Sequence, residues 1–466
     1  MGQRAARPAW AYPPVEYPLP IAGCRLPRLV DFGPLAGYAR GFPAFTTPRD
    51  PPMTGLPYRP SAENHTSQTL PRRGFLAGAA LASVTLLKPE QVAGAPANTK
   101  LRIGLIGCGG RGSWIADLFQ KHGGYQLVAA ADYFADRVNR VGEQFKIPSD
   151  RRFTGLNGYK RVLDCKPDAI VIETPPYFHP EQALAGVEAG CHVFCAKPIA
   201  VDVPGCQMMA EAGRKGTQNG RCVLIDFQTR TSEFYQEAIR RVHAGDIGPL
   251  VNGEAVYYCG PTWGGDEILA ADPKNPENRL RAWGLDRVLS GDVITEQNIH
   301  ALDVATWIVN AEPLKAYGVC SKKGRQDHGD CHDNFSVVYQ FPGDVAVSFT
   351  SKQYGTGYDD IGCRMFGPKG MIETHYFGAV FIRGEKSYKG GKHGNLYTDG
   401  AAKNIADFHA AILKGDFSNP TVAPSVRSNL TTILGRMAAY KRAEVTWQEM
   451  LRAAEKWEFP VSKLKS

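Results

Sequence analysis

No pair of the eleven cysteines is spaced as Cys-x-x-Cys, and their number is odd. That spacing marks zinc ribbons and dithiol redox motifs, and an even set at regular intervals marks a disulfide framework; the chain has neither. Cys108, Cys191, Cys195 and Cys222 lie in or beside apolar runs, as small buried hydrophobes do. Dense clusters of lysine and arginine are also missing. The net charge of +8 is spread over 466 residues, which argues against a nucleic-acid partner. No uncharged apolar run reaches the roughly 20 residues that a bilayer-spanning helix takes, so stable membrane insertion is not expected. No internal repeat is visible. What is present is a composition of 43% hydrophobic and 21% charged residues. That is ordinary for a globular protein, at a length that accommodates two domains.

The N-terminal part reads as something other than fold. Residues 1–52 contain 11 of the 33 prolines and no apolar periodicity. Such a segment buries too little surface to offset its chain entropy, so residues 1–66 are expected to be disordered. Over 67–97 comes the order of a signal peptide: Arg72 and Arg73, the apolar run Phe75–Leu87, then the small residues Ala93-Gly-Ala95 and Ala95-Pro-Ala97. Paired arginines followed by Gly-Phe-Leu resemble the bacterial twin-arginine export signal, which predicts a periplasmic or exported protein. A signal of this kind begins near a start codon, so Met53 is expected to be the true start and the preceding residues a gene-calling artefact.

From Leu101 onward strands and helices alternate. Leu101–Ile106, Gln126–Ala131, Ala169–Ile172, His192–Cys195 and Cys222–Ile225 read as strands, with helical spacing between them at Trp114–Gln120, Pro180–Ala189 and Gly205–Lys215. This pattern predicts a parallel sheet covered on both faces, a Rossmann-type α/β domain over 98–226. After Asp226 the rhythm changes. A helix at Ser232–Ala244 precedes strand-like runs at Val251–Tyr258, Lys315–Cys320, Phe335–Phe341, Asp344–Thr350 and Gly362–Phe366, and Phe341-Pro-Gly-Asp344 is a hairpin turn. Residues 227–466 are therefore expected to form an α+β domain on an open, mainly antiparallel sheet. Helical runs at Asn404–Leu413 and Ser428–Tyr440 follow it.

Gly107-Cys-Gly-Gly-Arg-Gly112 fits G-x-G-x-x-G between a strand and a helix. Gly107 allows the tight turn, Gly109 lets the backbone approach a pyrophosphate, and Gly112 lets the helix pack close to the sheet. The helix N-terminus presents free N–H groups to the phosphates, which makes Cys108, Gly110 and Arg111 part of the expected nucleotide loop. Asp132 ends the second strand, where a carboxylate accepts ribose hydroxyls and repels a 2′-phosphate; NAD is expected over NADP. Arg137, nearby, softens that preference.

Two more segments sit at C-terminal strand ends, where open α/β sheets bind ligands: Thr174-Pro175-Pro-Tyr-Phe-His179 and Cys195-Ala-Lys197-Pro198. Farther along, Glu296, His300 and Asp303 fall at i, i+4 and i+7, one face of a predicted helix. Together these residues resemble the Gfo/Idh/MocA family, over about Lys100 to the C-terminus. The resemblance implies a Rossmann domain followed by a domain with a large open sheet used for homo-oligomerisation, as a dimer or tetramer. It also implies oxidation of a sugar or cyclitol hydroxyl with NAD(P). The family's Glu-Lys-Pro falls on Ala196-Lys197-Pro198, and its Asp-x-Gly-x-His on Glu296-Gln-Asn298-Ile-His300. Ala196 thus stands where a carboxylate is expected.

In this reading His300 is the general base, oriented by Glu296 or Asp303, and Lys197 polarises the developing alkoxide. Thr174, Pro175, His179 and Lys197 border the cofactor, while Gln228, Arg230, Asn298 and Asp303 face the substrate. Trp263, Trp283 and Tyr376 are assigned to core packing. His328-Gly-Asp-Cys-His332 has metal-ligand types but no distant partner motif, so it is read as a polar loop, and no metal is expected. Three functions fit: a net dehydrogenase, a redox-neutral glycosidase or epimerase that recycles its NAD, and a non-catalytic sugar or nucleotide sensor. Free NAD is scarce outside the cytoplasm, so the export signal favours a tightly bound cofactor.

Overall fold

Leu101–Ile106 is apolar almost throughout because the strand it forms is covered on both faces. The computed structural model describes residues 100–466; the proline-rich segment, the twin-arginine signal and the start-site question lie outside the described residues. The first six strands are β1 (Leu101–Ile106), β2 (Tyr125–Asp132), β3 (Arg152–Thr154), β4 (Ala169–Ile172), β5 (His192–Ala196) and β6 (Val223–Asp226). They form one parallel sheet in the order β3-β2-β1-β4-β5-β6. Helices α1 (Gly110–His122), α2 (Ala135–Gln144), α3 (Gly158–Asp164), α4 (His179–Glu188) and α5 (Val203–Gln218) make the crossovers. The strand order reverses direction between β1 and β4, and the crevice at their C-terminal ends is where such sheets bind ligands.

Beyond β6 come α6 (Glu233–His243), β7 (Asn252–Cys259) and five short helices: α7 (Asp266–Ala271), α8 (Pro276–Arg281), α9 (Arg287–Ser290), α10 (Asp292–Glu296) and α11 (Ile299–Val309). The strands β8 (Lys315–Ser321), β9 (Asn334–Phe341), β10 (Val345–Gln353), β11 (Asp360–Gly367), β12 (Gly370–His375), β13 (Ala379–Gly384) and β14 (Tyr388–Lys392) follow. Last come α12 (Leu396–Lys414), α13 (Val422–Lys441), β15 (Val445–Thr446) and α14 (Trp447–Ala453). The second sheet has nine strands in the order β14-β13-β12-β11-β7-β10-β9-β8-β15. It is antiparallel except that β10 runs parallel to β7. The Phe341–Asp344 turn sets the β9–β10 register, pairing Val345 with Phe341.

Alternation along β8 and β9 sends Ala316, Cys320, Phe335, Val337 and Tyr339 inward, and leaves Tyr317 and Val338 about half exposed on the outer face. One face is therefore packed and the other open. The expected boundary at 226/227 separates the two sheets but does not separate the core. Helix α12 returns to the Rossmann sheet, where Ile405 and Phe408 join Ile103, Phe119 and Phe194. The Phe408 ring meets Phe194 edge-on at 5.7 Å. A phenylalanine buried this completely is worth about 1.5–3 kcal/mol over an exposed one. The Asn429 amide of α13 accepts from Ile199 N–H and donates to the Ala200 carbonyl, both at 3.1 Å. That fixes the chain just past Lys197.

Candidate active site

Gly107 has φ = +96°, and a Cβ there would come within 2.6 Å of the Glu173 carbonyl oxygen. A Cβ on Gly112 would lie 1.9 Å from the Gly107 oxygen. Both positions exclude a side chain by crowding. Around Gly109 and Gly110 there is open space instead: these glycines leave a cradle that a side chain would fill. Helix α1 begins there without a side-chain cap, so its first N–H groups are available to an anion. Cys108 contributes backbone only. Its thiol faces the Ala131 carbonyl inside the sheet, and its N–H donates to Asp132 Oδ2 at 2.7 Å.

The cradle opens into a cleft whose walls include Asp132, Arg137, Thr174 and Pro175. Asp132 Oδ1 accepts from Phe134 N–H at 2.9 Å. Burial raises the Asp132 pKa and these N–H groups oppose the rise; the carboxylate keeps further lone pairs for hydroxyls. Arg137 lies beside it, its pKa lowered by burial against the pull of Asp132. Leu280 and Trp283, from the second domain, line the same cleft. Around them Arg281 pairs with Asp136 at 3.0 Å and its guanidinium lies 3.9 Å from the Phe134 ring. The Lys465 carbonyl accepts from Leu156 N–H at 3.0 Å. The cleft has the form a dinucleotide takes: a phosphate cradle, a hydroxyl-binding carboxylate and apolar walls.

Lys197, just past β5, is buried and donates from Nζ to the Glu296 carbonyl at 2.7 Å and to Glu296 Oε1 at 3.2 Å. Burial lowers its pKa, and Glu296 opposes the shift. Glu296, Asn298 and His300 do not share one helix. The helix breaks, α10 ending at Glu296 and α11 beginning at Ile299, and the N–H groups of Gln297 and Asn298 both return to the Val293 carbonyl at 3.0 Å. The expected orientation of His300 by Glu296 or Asp303 is therefore corrected: Glu296 holds Lys197, and Asp303 is engaged elsewhere. His300 sits against the Tyr376 ring at 5.2 Å. Burial, with Lys197 and Arg111 nearby, pushes its pKa well below 6.5 and keeps it neutral. Glu296 Oε2, both amide atoms of Asn298 and His300 Nδ1 are buried without a partner. Such atoms are costly to leave unpaired, and they lie on the same stretch of chain as Glu296, which holds Lys197.

Four other expectations change. His179 is 1% exposed, and its ring nitrogens face the Thr174 carbonyl at 2.6 Å and the Pro198 carbonyl at 2.8 Å. Burial lowers its pKa to about 4. The neutral ring donates its one N–H to one of these carbonyls, and with both nitrogens turned to backbone oxygens neither faces a cofactor. Gln228 is fully buried, donating to Asp226 and accepting from Tyr376. Arg230 pairs with Asp303 at 2.7 Å, and Asp303 also accepts from Ser428. That trio fastens the segment after β6 to α11 and α13 rather than facing a substrate. In the histidine-rich loop, His332 pairs with Asp292 at 2.7 Å and His328 with Asp266 at 3.1 Å.

Arg111 departs furthest from its expected place. Its side chain turns away from the cradle, pairs with Glu173 at 2.9 Å and with Asp226, and donates to the Tyr397 hydroxyl at 2.7 Å. Glu173 is fully buried; desolvation raises its pKa to about 7 against the pull of Arg111. Neither Glu173 nor Asp226 was singled out in the sequence. The available signal was an acid directly after the apolar run Ala169–Ile172 and another closing Val223–Ile225, at the strand ends that border the crevice.

Comparison with known proteins agrees with this arrangement. Residues 101–223 match the model of the GFO/IDH/MocA oxidoreductase family with its NAD-binding Rossmann fold, and residues 235–373 match the GFO/IDH/MocA C-terminal domain. The chain belongs to the Gfo/Idh/MocA family. Among relatives, inositol 2-dehydrogenase of Salmonella typhimurium is 26% identical over 293 residues, 62% of this chain and 78% of that protein. Two solved structures share the fold. One is aldose-aldose oxidoreductase from Caulobacter crescentus (23% identity, TM-score 0.59, covering 74% of this chain and 99% of that one). The other is levoglucosan dehydrogenase in complex with NADH and levoglucosan (19% identity, TM-score 0.60, 74% and 99%). As a member of this oxidoreductase family the protein is an NAD-binding enzyme.

Proposed function

We propose that the protein oxidises a secondary hydroxyl of a sugar or cyclitol. The observation that carries this is the set of unpartnered buried atoms on Glu296, Asn298 and His300, beside the Glu296–Lys197 pair, because a polyol supplies both the donors and the acceptors they lack. Relatives named for inositol and levoglucosan point the same way. NAD, when bound, supplies the hydride acceptor. The neutral His300 imidazole takes the hydroxyl proton. The Lys197 ammonium, held by Glu296, donates to the alkoxide oxygen as charge develops there. The Asp132 carboxylate favours NAD over NADP.

A redox-neutral cycle, as in a glycosidase or epimerase, is the second reading. Its support is the cover of Leu280, Trp283 and the Arg281–Asp136 pair over the cleft, which suits a nucleotide retained through many turnovers. A homo-oligomer, dimer or tetramer, joined through the open face bearing Tyr317 and Val338 belongs to the same proposal. So does export by the twin-arginine route. No helix among the described residues is long and apolar enough to cross a membrane.

The deciding experiment denatures the native protein, identifies the released nucleotide by mass, and assays myo-inositol, D-glucose, levoglucosan and aryl glycosides with and without added NAD. NAD(H) release and turnover of at least one compound are expected. Lys197→Met should lower kcat about 10²–10³-fold, the usual cost of losing one donor to a developing oxyanion. Parent-level kcat in that variant would remove Lys197 from the chemistry, whereas no turnover of any of these compounds by the parent protein would leave a sensor as the better description.

A further inference from the structure

We infer that residues 457–466 form a strap that positions the walls receiving the adenosine half of the nucleotide, and that the backbone of Lys465 is the staple between those walls. The inference rests on NAD binding and not on the hydroxyl chemistry proposed above. Its starting point is the short edge that carries one wall. β3 is three residues long and ends the parallel sheet. It pairs with β2 through Ala130, Ala131 and Asp132. Asp132 stands opposite Thr154 in that pairing, so Tyr133 and Gly155 open two neighbouring loops.

Both loops line the nucleotide cleft, Tyr133 and Phe134 on one and Gly155 and Leu156 on the other. A carboxylate at the position of Asp132 reads the adenosine ribose, so these loops flank the adenosine end. The bond that joins them directly, from Gly155 N–H to the Tyr133 carbonyl, is long at 3.4 Å. A loop that follows so short an edge strand opens easily unless other contacts hold it.

The strap supplies those contacts. Lys465 N–H donates to the Tyr133 hydroxyl at 3.2 Å, and the Lys465 carbonyl accepts from Leu156 N–H at 3.0 Å. One residue is thus bonded to both loops. The Tyr133 hydroxyl in turn donates to Glu277 Oε1 of α8 at 2.5 Å, which ties the same point to the second domain. Gly155 lets the strap approach: its φ is +86°, and a Cβ there would lie 2.5 Å from the Ser466 carbonyl oxygen. Farther back, Phe459 is the anchor. Its ring is 4% exposed in a cluster with Phe134, Leu280 and Leu289, and its N–H donates to the Tyr177 hydroxyl at 3.3 Å. Trp457 N–H donates to Asp202 Oδ2 at 2.9 Å, just ahead of α5. The Lys465 ammonium lies 3.7 Å from Glu277 on a side chain that is 80% exposed. Exposed pairs of this kind contribute little, so the backbone groups carry the contact.

The test compares Lys465→Pro, which removes the N–H, Lys465→Ala, which keeps both backbone groups, and deletion of residues 461–466, which spares the Phe459 anchor. Melting temperature checks that each protein is folded. Each is titrated with NADH by fluorescence and, in competition, with ADP, which carries the adenosine end without the nicotinamide. Lys465→Pro should weaken both ligands by the same factor, about three- to tenfold, the range that one net hydrogen bond gives. The deletion should cost at least as much, and Lys465→Ala less than Lys465→Pro. With a substrate that the parent turns over, KM for NAD should rise by that factor while kcat at saturating NAD holds, as when binding is lost equally from ground and transition states. Parent-level ADP affinity in folded Lys465→Pro and in the deletion overturns the staple. NADH weakened with ADP unchanged also overturns it, by moving the effect to the nicotinamide end. So does Lys465→Ala weakened as far as Lys465→Pro, which assigns the effect to the ammonium. The titrations need no turnover, so a failure of the proposed hydroxyl oxidation is distinguishable from a failure of the strap.

Discussion

Glu173 is a carboxyl whose ionisation falls in the neutral range because it is buried beside Asp226 and only partly compensated by Arg111. Its folded pKa, about 7, lies above the ordinary value of 4.5. The folded state therefore holds the proton more tightly than the unfolded state, and the associated stability is lost as pH rises from about 4.5 through about 7. Glu173→Gln removes that dependence. The melting temperature of the variant relative to the parent should rise between pH 5 and pH 8; a flat difference across that range would refute the assignment. At this scale the sequence is legible where a residue is chosen by crowding. Gly107 and Gly112 are read correctly because any Cβ there collides with named backbone atoms. It is not legible where function rests on partners from distant strands. Arg111 looks like a phosphate ligand until the ends of β4 and β6 are brought beside it. Gln228 and Arg230 look exposed until Asp226 and Asp303 are found bonded to them.

Among the elements, the strands of the Rossmann sheet follow directly from apolar runs bounded by polar turns, and the β9–β10 hairpin from its Pro-Gly-Asp turn. The break between α10 and α11 does not: Glu296, His300 and Asp303 keep perfect helical spacing, but the Asn298 N–H goes to the Val293 carbonyl that Gln297 already uses, one residue beyond the helical partner. The parallel pairing of β10 with β7 is likewise set by long-range packing rather than by local pattern. Helix α8 carries a consequence for nucleotide retention. Arg281→Ala removes the exposed pair with Asp136, worth about 0–1 kcal/mol, and the contact with Phe134, worth about 0.5–1 kcal/mol at an exposed site. Bound nucleotide should then leave roughly five- to tenfold faster, measured as NADH fluorescence lost on dilution. An unchanged release rate would mean that α8 does not hold the cleft shut.

For the molecule as a whole, the two sheets are visible in the sequence, but the single core joining them is not, because α12 packs on a sheet whose last strand ended well before it. The open face of the second sheet carries Tyr317 and Val338 side by side in register. In the proposed homo-oligomer these half-exposed neighbours lie within the contact. Tyr317→Lys combined with Val338→Lys should shift the protein to a smaller species in sedimentation velocity while leaving the melting temperature of the protomer nearly unchanged. An unaltered sedimentation coefficient would send the search for the interface elsewhere.

The cover over the nucleotide cleft also bears on when the cofactor can be acquired. Chains fold from the N-terminus as they leave the ribosome. The glycine loop and Asp132 emerge early, whereas Leu280, Trp283 and Lys465, which complete the walls around them, emerge progressively later. A nascent Rossmann half thus presents its cradle without a roof. In the retained-cofactor reading proposed above, nucleotide bound at that stage exchanges with the surrounding pool and is held only once the distal residues have been synthesised and docked. On that reading the pool in the compartment of synthesis supplies the nucleotide, and Asp132 selects from it.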